Sequence, residues 1–132
     1  MKKILLILLL PALAITGCSD DDQINTAGLE GSWSLVEIHN GFGATNIGYD
    51  EGIVIWTFDE QEREIDVVNS ASADNYSALA TGNYGYTIGA ENQVCNDALF
   101  IEEDAYGCIS ITNDTLRVSS AHVDGDILTF VR

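Results

Sequence analysis

After residue 31 apolar and polar positions alternate in short runs, and Gly, Asn, Asp and Ser cluster where the alternation breaks. Short alternating runs separated by turn residues predict an all-β chain joined mostly by hairpins. Eight strands are expected, at residues 33–39, 53–58, 64–69, 83–88, 98–102, 107–112, 115–119 and 126–131. The period of two sets Tyr84, Tyr86 and Ile88 on one face of their strand, as it does Ile109 with Ile111 and Leu116 with Val118. Asn113-Asp114 sits between two alternating runs, a strong hairpin signal, and Asp124-Gly125 offers a second turn that tolerates positive φ. A closed antiparallel meander of eight strands removes the exposed edges that would otherwise pair with other chains. A two-sheet sandwich is the alternative. Two segments break the pattern: the glycine-rich residues 40–52 and the small, polar residues 70–82.

The first residues follow a different pattern. Met1-Lys2-Lys3 is cationic, Ile4 to Leu10 are all Ile or Leu, and the run ends near Ile15 after Pro11. It is shorter than the roughly 20 residues that cross a bilayer and has the layout of a secretory signal peptide. Ile15-Thr16-Gly17-Cys18 resembles a bacterial lipobox. That resemblance implies cleavage before Cys18, lipid on its thiol and an acylated amine, and several acyl chains anchor a protein stably where one does not. Ser19, Asp20, Asp21 and Asp22 form an acidic tether and resemble the export signal that sends some lipoproteins to the outer face of the outer membrane. Residues 1–17 are thus expected to be the signal peptide, 18–28 the lipidated cysteine and tether, and 29–132 the domain. The expected location is the outer membrane, surface-exposed, with a periplasm-facing attachment as the alternative.

Removal of residues 1–17 leaves 115 residues, enough for one domain. It also leaves no lysine: Arg63, Arg117 and Arg132 face 21 acidic residues, a formal charge of −18. Such a chain repels phosphate backbones, which excludes nucleic acid as a partner. The charge keeps an anchored protein soluble, and a monomer is expected. Once Cys18 carries lipid, Cys95 and Cys108 remain in an oxidising compartment, where a disulfide is the expectation. Closing so short a loop stabilises by about 3 kcal/mol in the chain-entropy model. A metal site is the rival, but neither histidine lies at ligand spacing from these thiols along the chain.

Gly31-Ser32-Trp33, opening the first strand, resembles the G-x-W signature of lipocalins. In that pattern a basic residue near the final strand packs over the tryptophan, which here implies Arg132. The segments "TGNYGYTI" and "NDTLRVS" are similar to middle and late strands of small lipocalin-like lipoproteins. The resemblance spans most of residues 29–132 and implies a ligand-binding barrel, although this chain stops at its eighth strand where larger lipocalins add a helix. Eight strands enclose an interior that side chains just fill or that holds one small ligand. A META-type barrel, which also opens with a Trp-x-Leu segment, is the other fold reading.

Chemistry is sparsely written. His39 and His122 are the only imidazoles, and no serine or cysteine motif accompanies either. Glu102-Glu103-Asp104 reads as a solvated loop, and Asp124-Gly125-Asp126 lacks the rest of a calcium loop. No enzyme, metal or cofactor is expected. The expected role is binding a small apolar or amphipathic molecule, with Phe42 and Tyr49 over the mouth and Trp56, Tyr84 and Tyr86 on the wall. The alternative is a filled barrel serving as a non-catalytic interaction or accessory module.

Overall fold

The computed structural model describes residues 28–43, 45–72 and 76–132. The expected signal peptide, Cys18 and the acidic tether lie outside them. Nine strands form one antiparallel sheet: β1 (Gly31–Asn40), β2 (Thr45–Gly48), β3 (Val54–Asp59), β4 (Glu64–Asn69), β5 (Gly82–Glu91), β6 (Cys95–Ile101), β7 (Asp104–Thr112), β8 (Thr115–Ser119) and β9 (Ile127–Val131). Their order is β2-β1-β3-β4-β5-β6-β7-β8-β9, and a further pairing of β1 with β9 closes the sheet into a ring. The chain is all-β, and a single closed ring replaces the sandwich alternative. The expectation of eight strands is corrected to nine, because β2 lies inside the glycine-rich segment.

The reason for β2 is visible in the register. β3 pairs with β1 only from Gly31 to Ser34, so the rest of that edge of β1 would be left unpaired. Thr45–Gly48 folds back to pair with Glu37–Asn40. Every residue of β2 is exposed, so no face of it needed apolar side chains and no alternation announced it.

Elsewhere the alternation sets the core. Val54, Trp56 and Phe58 point inward from β3, Ile65 and Val67 from β4, Leu116 and Val118 from β8, and Leu128 and Phe130 from β9. In β1 the inward set is Trp33, Leu35 and then Ile38, because the register with β9 shifts between Leu35 and Glu37. A bulge of this kind inserts one residue and re-aims those that follow it. β5 pairs with β4 from Gly82 to Gly85 and with β6 from Tyr86 onward. That stagger lets a short-stranded sheet tilt and close on itself. Gly107 of β7 (φ 140°) permits the closest approach in the wall, since a Cβ there would lie 2.5 Å from the Ser119 carbonyl carbon.

The interior is packed with aromatic rings. Trp56 lies 4.8 Å from Phe130, 5.9 Å from Tyr106 and 6.2 Å from Phe58, while Phe58 meets Tyr86 edge-on at 5.4 Å. Burying each such side chain stabilises by about 1.5–3 kcal/mol. The β4–β5 connection crosses one end with a 3-10 turn, Tyr76–Ala78. Ala78 is buried, and its carbonyl accepts the Trp56 indole N–H at 3.1 Å.

Candidate functional site

The meander places alternate connections at opposite ends of the ring. At the floor are the start of β1, the β3–β4 and β7–β8 turns and the chain's last residue. At the rim are the end of β1, the β4–β5 and β8–β9 connections and the start of β7.

The floor is an apolar plug under a cation. Trp33 is fully buried and donates its indole N–H to the Leu29 carbonyl at 2.8 Å. The Arg132 guanidinium lies 4.3 Å from the Trp33 ring centroid and donates to the Gly28 carbonyl at 2.8 Å. The packing of Arg132 over Trp33 expected from the sequence is therefore present.

The rim is polar and stitched together by one carboxylate. Asp126 accepts from Asn40 Nδ2 at 2.9 Å and from the Ser77 hydroxyl, joining the end of β1 to both rim connections. The Asp126 carbonyl accepts from the Ser120 amide at 3.0 Å and its hydroxyl at 2.9 Å, which folds residues 120–126 into a compact turn. The β1–β2 turn packs on it: a Cβ on Gly41 would lie 2.7 Å from the Gly125 carbonyl oxygen. Beside Asp126 lies a depression of about 300 Å³, lined among others by Ser77, Asp104, Tyr106, Ser120 and Leu128. Two carboxylates and several hydroxyls beside Leu128 suit a small cationic or hydroxyl-bearing group.

A third constellation lies on the wall. Cys95 and Cys108 form a disulfide with their Cα atoms 6.1 Å apart. One Glu91 carboxylate oxygen lies within 4.8 Å of both sulfurs. Glu91 Oε1 is also 3.3 Å from His122 Nε2.

The five proposed ligand contacts are dispersed among different surroundings. Phe42, on the β1–β2 turn, is 90% exposed, whereas Trp56 is enclosed in the core. Tyr49 packs against the core from its edge, and burial pushes its hydroxyl pKa up. Tyr84 donates its hydroxyl to the Ala80 carbonyl at 3.0 Å. Tyr86 is only 3% exposed, and burial raises its pKa against the lowering effect of the nearby Arg63 guanidinium. His39 pairs with Asn46 across the β1–β2 hairpin. Asn40, Ser77 and Glu91 escaped sequence reasoning: polar residues beside turns look alike until register brings them together. Asp126 was expected to open the last strand; it lies one residue before β9 and clamps the rim.

No family model, no curated protein and no solved structure matches this chain.

Proposed function

We propose that the protein is a lipid-anchored, lipocalin-like module of the bacterial cell envelope that works by non-catalytic contact with a partner at its rim. The observation carrying this reading is the interior. Trp33, Trp56, Phe58 and Phe130 are all buried in it, and the Ala78 carbonyl accepts the Trp56 indole N–H at one end. The pairing of β1 with β9 leaves β2 outside the closure, and side chains that occupy the remaining eight-strand ring leave its function to the surface. The lipocalin likeness rests on Gly31-Ser32-Trp33 at the start of β1 and on Arg132 packed over that tryptophan.

The anchor would join at the floor, since Gly28 is held there by Arg132. The rim, at the far end of β1, would then face away from the membrane. Cys18→Ala should release the protein into the soluble fraction, and alanines at Asp20, Asp21 and Asp22 should reduce its accessibility to external protease.

Native mass spectrometry after gentle extraction, paired with titration of an apolar fluorescent probe, tests the filled-interior reading. The expected result is the bare mass and no saturable probe binding. A co-purified small molecule, or a probe site of one-to-one stoichiometry lost on substitution of Trp56, would overturn it. That outcome would favour the second reading, a carrier of a small apolar or amphipathic molecule, which draws support from Leu128 and Tyr106 at the base of the rim depression.

A further inference from the structure

The wall constellation joins four side chains of the kinds that hold zinc: two cysteines, a glutamate and a histidine. They come from separate parts of the chain. Glu91 ends β5, Cys95 opens β6, Cys108 lies in β7 and His122 sits in the 3-10 turn Ala121–Val123 of the β8–β9 connection. Their ligand atoms nevertheless converge. A Glu91 oxygen and both sulfurs lie within 4.8 Å of one another, and His122 Nε2 is 3.3 Å from Glu91 Oε1. In a tetrahedral zinc site with bonds of about 2.0–2.3 Å, neighbouring ligand atoms stand about 3.3–3.8 Å apart. The Glu91–Cys95–Cys108 set is close to that size already; its two sulfurs must separate, and the His122 imidazole must close on them from its place beside Glu91.

A second observation points to a cation. Glu91 Oε2 is buried and has no hydrogen-bond partner among the described residues. A buried carboxylate oxygen left in this way is an unused ligand atom, open to a cation held between it and the sulfurs. The disulfide prevents that, because its sulfurs are neutral and bonded to each other.

We propose that this wall is a redox-gated metal site: oxidised, it is the Cys95–Cys108 disulfide; reduced, it binds one zinc ion through Cys95, Cys108, Glu91 and His122. Opening the site consumes two electrons. A phosphine reductant breaks the S–S bond, takes its oxygen from water to become the phosphine oxide, and leaves two thiols. Metal binding then releases the two thiol protons as thiolate–metal bonds form. The imidazole binds in its neutral form through Nε2, and Glu91 binds through one carboxylate oxygen. Sequence spacing pointed away from metal because His122 is distant along the chain; the pairing of Cys108 with Ser119 carries the following turn to the cluster.

The test uses the full chain carrying Cys18→Ser, so that no third thiol competes, reduced with a phosphine that does not chelate. Cobalt(II) is titrated first, then displaced with zinc, while far-ultraviolet circular dichroism follows the fold. The expected result is one cobalt per chain, with tetrahedral ligand-field bands and thiolate-to-cobalt charge transfer, and none of this in the oxidised protein. Glu91→Gln and His122→Asn should each weaken zinc by about a hundredfold, one ligand's share of a four-ligand site. Three outcomes would overturn the proposal. The reduced chain could bind no more tightly than the oxidised one, which is attraction to the acidic surface. The cobalt spectrum could lack thiolate charge transfer. Both variants could bind as tightly as the parent, which is capture by two thiols alone.

Discussion

The floor and the rim of the ring are held by different physics, although β1 runs directly from one to the other. At the floor, Trp33 is buried under the Arg132 guanidinium, and its one polar atom is satisfied by the Leu29 carbonyl. Most of that stabilisation is burial of aromatic area, which needs little directional precision. At the rim, Asp126, Asn40, Ser77 and Ser120 hold three connections together through hydrogen bonds that depend on geometry and tolerate no missing member. One end is therefore a plug and the other a clasp. A plug fixes the fold, while a clasp holds exposed loops in one arrangement and can present them to a partner.

Substitution at each end separates the two. Trp33→Ala should cost about 3–5 kcal/mol, the usual loss for a buried tryptophan, and should lower the denaturation midpoint of the whole ring. Asp126→Ala should cost about 1–3 kcal/mol, because it removes the acceptor that the Asn40 amide and the Ser77 hydroxyl share. Its signature is local: hydrogen exchange should accelerate at residues 120–126 and leave the floor unchanged. If Asp126→Ala unfolds the protein as cooperatively as Trp33→Ala does, the division between plug and clasp is wrong.

The next effect is in pH. Burial raises the Tyr86 pKa above its ordinary value of 10, Arg63 opposes this, and Glu60 and Glu30 add to it. The folded state therefore holds the phenolic proton more tightly than the unfolded chain does. This contribution is fully present below pH 10 and is lost as pH rises through the folded pKa. Tyr86→Phe should flatten the alkaline fall of stability measured by denaturant titration across that range; an unchanged slope would assign the fall to other groups, Tyr49 among them.

The smallest effect concerns the β6–β7 turn, where Glu102 (φ 52°) and Glu103 (φ 81°) are both left-handed. Glutamate has no steric reason to be there, and glycine does. Glu103→Gly should stabilise by about 0.5–1 kcal/mol in chemical denaturation. Glu102 is better left in place, because its carboxylate accepts the Gly85 amide at 3.0 Å.

The legible part of this molecule is the part governed by alternation. The runs containing Trp56, Ile65, Leu116 and Phe130 predicted their own strands because one face of each had to be apolar. Strand ends were less clear. β6 begins at Cys95, earlier than its apolar residues suggest, because Cys95 pairs with Glu91 in the ladder. β2 gave no signal, since it is exposed on both faces. Cys95 and Cys108 were paired correctly because few alternatives remained once Cys18 was set aside.

What the sequence by itself determined was which residues must face inward and where the chain must turn, because burial and backbone conformation are local demands. What only the tertiary structure decided was who meets whom across the ring. Asn40, Ser77 and Asp126 lie far apart along the chain, as do Glu91 and His122. They become neighbours only because closure of β1 on β9 and the stagger of β5 fix the register of every strand between them.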